Sequence, residues 1–325
     1  MNARSATALL VALCLGWTGV CRAEHSDDPH DWLERMSAAM SQMSYQGTFV
    51  YVQGNEVETM RITHVSDEHG IRERLVSMSG APREVLRDSS GIRWVLGDDR
   101  SVLEDQSFTR SFFPELPVDQ QQDTSVSYVL KLGGTERIAG HTARNLRVIP
   151  RDNYRYGYSL WLEEHSGLLL RWTLLDSDQQ SLAKLMFTDI RLGSEVDPEE
   201  LKPGSQLKKY KTVESGLPAG QKVTRTQPRW LPSHLPPGFR LTDHRYQDPD
   251  GGPMYEHLVY SDGLAAVSVY VESNSELAES ESGISHLGTT HAFSRSVDGM
   301  AVTVVGDVPA ITVEYIANAV APVKR

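Results

Sequence analysis

The sequence predicts an α+β protein of two domains: a wide, curved antiparallel sheet with few helices, followed by a smaller α+β domain. Three observations predict this architecture. The chain has 325 residues, which suggests about two domains. Strand patterns with alternating apolar residues outnumber helix patterns. The segment Lys202 to Arg229 is rich in Lys, Gly, Pro and Thr, so we predict a linker at 202–229 between domains at 24–201 and 230–325.

The first 23 residues are expected to be a secretory signal peptide at 1–23. Arg4 precedes an apolar run from Ala6 to Val20, and Cys21-Arg22-Ala23 then supplies a small-x-small cleavage signal. A lipoprotein anchor at Cys21 is the less favoured alternative, because Thr18-Gly19-Val20 lacks the Leu and the small residue that lipobox processing usually needs. The apolar run is short for a bilayer span, and no later segment approaches a spanning length.

Charge and cysteine content restrict the compartment and the partners. Signal cleavage would remove both cysteines, Cys14 and Cys21, so the exported chain could form no disulfide. It would also remove Arg4 and Arg22, which takes the formal net charge from −11 to −13. An exported chain without disulfides suits a bacterial periplasm. The negative charge argues against nonspecific nucleic-acid binding and against charge-driven docking on anionic lipid.

The N-terminal domain is expected to open with a helix over Pro29–Ser44. Asp28 can cap this helix, Pro29 suits its first position, and Trp32, Met36, Met40 and Met43 form one apolar stripe. A second, short helix is predicted around Ser125–Leu132. Strands are predicted at Gly47–Gln53, Arg72–Met78, Arg83–Arg87, Ile92–Leu96, Ser101–Glu104 and Arg144–Ile149. The Pro-containing insert Phe108–Val118 is expected to be a loop that plugs the sheet or a mobile lid.

The segment Arg155 to Leu174 predicts a long hairpin with one apolar face. The turn is His165-Ser166-Gly167, and a third strand is expected at Leu182–Leu192. Strand alternation places a set of polar or small residues on the opposite face, namely Arg155, Gly157, Ser159 and Glu163. The apolar face is predicted to contain Tyr154, Tyr156, Tyr158, Leu160, Leu162, Leu168, Leu170, Trp172 and Leu174.

The C-terminal domain is predicted to contain a hairpin, two further strands and a last helix. The hairpin strands Tyr255–Tyr260 and Ala265–Glu272 flank the turn Ser261-Asp262-Gly263. The remaining elements are expected at His286–Ser294, Met300–Gly306 and Ala310–Val320, and the acidic segment Asn274–Gly283 is expected to be an exposed loop.

No catalytic or metal-binding constellation emerges from the sequence. Two Ser-x-x-Lys matches, Ser181/Lys184 and Ser205/Lys208, do not open a predicted helix, as that nucleophile motif requires. No His-Glu-x-x-His pair occurs, and Gly133-Gly134 is followed by a strand rather than by a helix that could hold a phosphate. The sequence therefore predicts neither an enzyme nor a cofactor or metal site.

The apolar face of the hairpin can be protein core or a ligand surface. Aromatic rows in strands usually pack as core. One or two helices cannot cover a sheet of eight or more strands, however, so the sequence also predicts an apolar groove. Strand and helix phase place nine residues in this groove: Phe49, Tyr51, Tyr156, Tyr158, Leu160, Leu170, Trp172, Met36 and Met40.

Six separated motifs resemble those of one protein family. They are Gln46-Gly47-Thr48-Phe49-Val50-Tyr51, Gly80-Ala81-Pro82-Arg83-Glu84-Val85, Pro150-Arg151-Asp152 with Arg155-Tyr156-Gly157-Tyr158, Leu235-Pro236-Pro237-Gly238-Phe239, Tyr260-Ser261-Asp262-Gly263-Leu264, and Val302-Thr303-Val304-Val305-Gly306-Asp307-Val308-Pro309. Across both domains the chain resembles the RseB/MucB family of periplasmic sigma-E regulators. Its N-terminal domain is similar to the LolA/LolB lipoprotein-carrier superfamily, which implies an open antiparallel β half-barrel with covering helices.

The resemblance implies a regulator without enzymatic activity. Such a protein binds the periplasmic domain of a transmembrane anti-sigma factor, RseA or MucA, and shields it from the first stress protease. Lipid or lipopolysaccharide fragments would then bind the half-barrel and release the anti-sigma factor. In alginate-producing relatives the same system controls alginate synthesis. The resemblance also implies a homodimer.

Two further expectations concern the C-terminal domain and the alternative function. The linker is expected to act as a hinge, and the C-terminal domain is expected to supply anti-sigma contacts through Arg229, Trp230, Phe239 and Tyr260. The alternative is a periplasmic lipid or lipoprotein carrier of the LolA type, which the additional C-terminal domain disfavours.

Overall fold

The computed structural model describes residues 28–80, 82–96, 101–105, 124–193, 196–204, 211–214, 227–247, 254–273 and 283–323. The predicted signal peptide and the insert Phe108–Val118 lie outside these residues, as do most of the predicted loop Asn274–Gly283 and much of the linker. No helix within the described ranges is long and apolar enough to cross a membrane.

A twelve-stranded sheet forms the N-terminal domain. In spatial order its strands are β12, β6, β5, β4, β3, β2, β1, β11, β10, β9, β8 and β7. Neighbouring strands are antiparallel except β12 and β6, which are parallel. The strands span β1 Tyr45–Gln53, β2 Glu56–Asp67, β3 Gly70–Ser77, β4 Arg83–Asp88, β5 Gly91–Leu96, β6 Ser101–Asp105, β7 Tyr128–Ile138, β8 His141–Pro150, β9 Gly157–Glu163, β10 Leu169–Leu175, β11 Ser181–Leu192 and β12 Lys211–Glu214.

Helix α1, Pro29–Gln42, covers the sheet and begins where the sequence predicts. The Asp28 side chain accepts a hydrogen bond from the backbone N–H of His30 at 2.8 Å, which caps the first turn. The helix ends at Gln42, two residues before the predicted end at Ser44. It contacts β2, β7 and β8, and its buried side chains are Trp32, Leu33, Met36, Ala39 and Met40.

One predicted helix of this domain is wrong, and one long strand is missing from the sequence prediction. The predicted helix at Ser125–Leu132 is a single 3-10 turn, Thr124–Val126, followed by strand β7. A strand within Glu56–Asp67 was not predicted. Its alternation is interrupted because four consecutive residues, 62–65, are buried, and they include Thr63 and His64. Tertiary burial of polar side chains therefore hid this strand from a pattern based on polarity.

The C-terminal domain is a six-stranded antiparallel sheet with one helix. The strand order is β14, β15, β16, β19, β18 and β17, and helix α2, Ala310–Ala319, packs on β18 and β19. The strands span β14 Arg240–Gln247, β15 Tyr255–Ser261, β16 Ala266–Glu272, β17 Gly283–Leu287, β18 Thr290–Val297 and β19 Met300–Gly306. A separate two-stranded ribbon pairs β13, Trp230–Pro232, with β20, Val320–Pro322.

The described parts of the predicted linker are attached to the two domains. The backbone N–H of Gly204 donates to the Glu84 carboxylate, and β12 extends the N-terminal sheet. At the other end, the backbone N–H of Arg229 donates to Glu256 at 2.8 Å. Both carboxylates are buried, so each end of the linker is fixed to a different sheet.

Candidate functional site

All nine predicted groove residues belong to one apolar cluster between α1 and the sheet. Seven of them are buried, and Tyr51 and Tyr158 are partly buried against the cluster. Leu160 and Leu170 are 0% exposed, whereas Trp172 retains 7%. The structure therefore brings these residues together but covers them, and their part in ligand binding remains a prediction.

Strand register explains why these side chains meet. Trp172 pairs with Leu160, and Leu174 pairs with Tyr158, so these four residues share one face of the sheet. The register shifts between Leu169 and Arg171, which places a bulge at the start of β10. Further residues enter the same interior from β1 and β11, where Phe49 packs edge-on against Phe187 with ring centroids 5.6 Å apart.

Tyrosine hydroxyls and an indole N–H bring polar atoms to this interior. Burial, followed by the charge of Asp307, raises the pKa of Tyr156 to about 12. The same two causes raise the pKa of Tyr51 and Tyr158, so all three phenols are protonated at neutral pH. The Trp172 Nε1–H is buried without a hydrogen-bond partner among the described residues. The Trp172 N–H can therefore offer a hydrogen bond to a ligand that is otherwise apolar, whereas the Tyr156 hydroxyl already lies 3.4 Å from His291 Nδ1.

A buried ion pair joins the two domains at the edge of this interior. Arg155 Nη1 lies 2.5 Å from Asp262 Oδ2, and both side chains are 0% exposed. Arg155 also donates to both Asp152 oxygens and, at 2.6 Å, to the carbonyl of Pro237. Tyr128 donates to the same Asp262 oxygen at 3.1 Å. Burial and the Asp262 charge hold the pKa of the Tyr128 phenol well above its usual value, so it remains a donor.

Sequence reasoning missed this junction. Alternation placed Arg155 on a polar face, but it precedes β9 in a bend and enters the domain interface instead. Tyr154 and Tyr156 also precede β9, so the prediction that they belong to this strand is wrong. The available signal was the presence of Arg155 and Asp262 in two of the quoted motifs, although nothing in the sequence indicates that they pair.

Further contacts join the two domains. Thr312 donates to the backbone carbonyl of Tyr154 at 2.7 Å, and the ring of Tyr154 lies 5.0 Å from that of Tyr315. Gln53, at the end of β1, donates to Thr289 at 3.3 Å. The C-terminal domain therefore contacts the N-terminal domain at several separate positions.

The predicted anti-sigma contacts differ in accessibility. Arg229 is exposed, and its guanidinium lies 4.2 Å from the centre of the Tyr246 ring. Trp230, Phe239 and Tyr260 are buried in the C-terminal core. The Arg155 guanidinium lies 5.1 Å above the Phe239 ring. In this structure, Arg229 is the exposed member of the predicted set.

The described residues contain no group of His, Cys, Asp or Glu arranged to hold a metal ion. Ser181 and Lys184 are both exposed on β11, a strand rather than the start of a helix. Ser205 and Lys208, the other Ser-x-x-Lys match, lie outside the described residues.

The fold and the interior define a two-domain protein in which a large open sheet encloses apolar side chains and a smaller domain contacts its edge. Sequence models of the MucB/RseB N-terminal and C-terminal domains match residues 28–205 and 224–321. The chain belongs to the MucB/RseB family.

Individual relatives match over nearly the whole chain. The "Sigma factor AlgU regulatory protein MucB" of Pseudomonas aeruginosa is 34% identical over 322 residues, 97% of each chain. The "Sigma-E factor regulatory protein RseB" of Escherichia coli K12 is 26% identical over 290 residues, 88% of each. The solved Pseudomonas aeruginosa MucA/MucB complex matches with a TM-score of 0.70 and 32% identity, covering 92% of this chain and 100% of that one. These matches confirm the family and the fold class.

Proposed function

We propose that this protein is a periplasmic negative regulator of a sigma-E-type envelope stress response. It binds the periplasmic domain of a transmembrane anti-sigma factor and protects that domain from the first regulatory protease. Binding of a lipid or lipopolysaccharide fragment releases the anti-sigma factor. The protein acts without catalysis.

One observation carries this proposal: the similarity to MucB extends through both domains, and MucB has been solved with the periplasmic part of MucA. An interaction that uses either domain would therefore have its counterpart in this chain. The additional C-terminal domain favours a regulator over a lipoprotein carrier of the LolA type.

The lipid-release step is supported by the chemistry of the interior. The enclosed apolar cluster suits acyl chains, while the buried Trp172 N–H suits an ester or hydroxyl oxygen. Lipid can release a protein partner only if the two ligands prefer different states of the regulator. The domain interface provides a structural element with which such states could differ.

The test is a pull-down of residues 24–325 with the periplasmic segment of the organism's own anti-sigma factor, with and without a short-chain lipopolysaccharide fragment. We expect a stable complex that the fragment disrupts, and slower cleavage of the segment by the first protease while the complex persists. Retention of lipid without anti-sigma binding in either condition would refute the regulator and favour the carrier. Light scattering on the same samples tests the expected homodimer.

A further inference from the structure

The β15–β16 turn, Ser261–Ala265, is buried although it connects two strands. We call it the plug turn. Hairpin turns usually lie at the surface, but all five of these residues are buried. Leu264 is 1% exposed and belongs to the apolar cluster of the N-terminal domain, not to that of its own domain. One leucine of the C-terminal domain therefore completes the interior in which the predicted ligand residues lie.

The Asp262 carboxylate forms hydrogen bonds both within the plug turn and to the N-terminal domain. Its Oδ1 accepts the backbone N–H groups of Leu264 and Ala265 at 2.9 and 2.7 Å, which fixes the turn. Its Oδ2 accepts from Arg155 and Tyr128 of the other domain. The same carboxylate thus holds Leu264 in place and anchors the turn to the N-terminal domain.

A ligand that enters the interior must displace part of its cover, and the plug turn is the part of that cover that buries fewer apolar side chains. Helix α1 buries five side chains, whereas the plug turn contributes Leu264. Each large apolar side chain that becomes exposed costs a similar amount of hydrophobic free energy, so exposure of the α1 stripe costs several times more than exposure of Leu264.

The buried ion pair does not oppose this movement strongly. When the domains separate, water reaches Arg155 and Asp262 together, and Asp152 remains beside Arg155. A buried ion pair contributes little net free energy relative to two hydrated ions, but the loss of one partner alone leaves a buried charge uncompensated. The pair therefore specifies the closed arrangement while permitting it to open.

We propose that the plug turn is a gate that an apolar chain displaces. An acyl chain competes with Leu264 for the interior, and its entry moves the C-terminal domain away from the sheet. This inference deepens the proposed function, on which it rests for the identity of the ligand. It gives the expected hinge a physical cause, because occupation of the interior and closure of the domains exclude each other.

The first experiment compares binding of dodecyl maltoside, below its micelle concentration, by residues 24–325 and two variants. Leu264→Ala removes the competing side chain, and we expect it to bind about tenfold more tightly, the factor that 1.4 kcal/mol produces. Leu287→Ala is the matched control, since Leu287 is 86% exposed, and its affinity should equal that of the unsubstituted chain. Circular dichroism verifies that each variant is folded.

The second experiment measures the distance between the domains. Residues 24–325 contain no cysteine, so spin labels can be placed specifically at the exposed positions Ser177→Cys and Ser296→Cys. We expect dodecyl maltoside to lengthen the distance distribution. Asp262→Asn, which retains the oxygen that accepts from Leu264 and Ala265, should lengthen it without the detergent.

Unchanged affinity in a folded Leu264→Ala variant would overturn the gate, as would detergent binding without any change in distance. Absence of detergent binding in every variant would also overturn it, and the anti-sigma pull-down would still decide the proposed function by itself. Conversely, both detergent experiments could give the expected results while no anti-sigma complex forms. That combination would refute the regulator and leave the gate intact.

Discussion

Several polar side chains are buried in this protein, and the burial of His64 makes its stability depend on pH. Its ring stacks on Tyr45 with centroids 4.7 Å apart, and neither ring nitrogen has a hydrogen-bond partner among the described residues. Burial, and then the charge of Arg87, lowers the pKa of His64 to about 4. His64 is therefore neutral in the folded protein at neutral pH.

Acid should destabilise the protein through His64. The unfolded chain binds the proton with the ordinary pKa near 6.5, so stability falls as pH drops below about 6.5 and continues to fall until about pH 4. At pH 5 the loss is roughly 2 kcal/mol. Urea unfolding at pH 7 and pH 5 should show a smaller loss for His64→Phe, which retains the stacking without titrating. Exposed His69→Gln should behave as the unsubstituted chain; an equal loss in all three would contradict this account.

Leucine truncation should destabilise the protein inside the interior and have little effect outside it. Leu160 is 0% exposed, so Leu160→Ala should reduce the free energy of unfolding by about 2 to 5 kcal/mol, because it creates a cavity beside Trp172. Leu287→Ala should change it by less than about 0.5 kcal/mol. Denaturant unfolding measures both values, and similar values for the two variants would disprove the packing described for β9.

At the scale of elements, the close approach of β1 and β11 depends on one glycine. Gly47 pairs with Ile190, and a Cβ at Gly47 would lie 2.6 Å from the Asp189 carbonyl oxygen and 2.9 Å from the Phe187 ring. A bulge follows between Thr48 and Phe49. This contact occurs in the centre of the sheet, where the backbone of neither strand can move freely.

Gly47→Ala should therefore destabilise the protein by about 1 to 3 kcal/mol, through overpacking. Gly134→Ala is the matched control, because no atom lies within 4 Å of the Cβ that it would add on β7. It should be neutral or slightly stabilising, since alanine restricts the unfolded chain. Thermal unfolding of the two variants tests the difference, and a neutral Gly47→Ala would show that β1 and β11 are farther apart.

For the whole molecule, the Arg155–Asp262 pair should determine whether the domains unfold together. Asp262→Asn leaves the buried Arg155 charge with Asp152 alone, so the interface should weaken before either core does. We expect calorimetry to show one unfolding transition for the unsubstituted chain and two for this variant. Glu136→Gln removes the partner of Arg171 in an exposed pair within one domain and should retain one transition. A single transition in Asp262→Asn would contradict this role of the pair.

Much of the fold could be predicted because its signals are local. The cap and apolar stripe of α1 lie within one short segment, and the alternation of β9 and β10 places Leu160 and Trp172 on the same apolar face, where the structure pairs them. The same alternation failed at β7, where a short segment was interpreted as a helix, and at β2, where buried Thr63 and His64 disguised the pattern.

The sequence by itself determined the two-domain α+β class, the helix that covers the sheet and the set of apolar residues that gather beneath it. Tertiary structure alone decided that this set is enclosed and that Leu264 of the second domain helps to enclose it. It also decided that Arg155 meets Asp262, 107 residues further along the chain. The physical reason is that periodicity reports which face of an element is apolar, whereas the partner that covers that face is set by packing between distant segments.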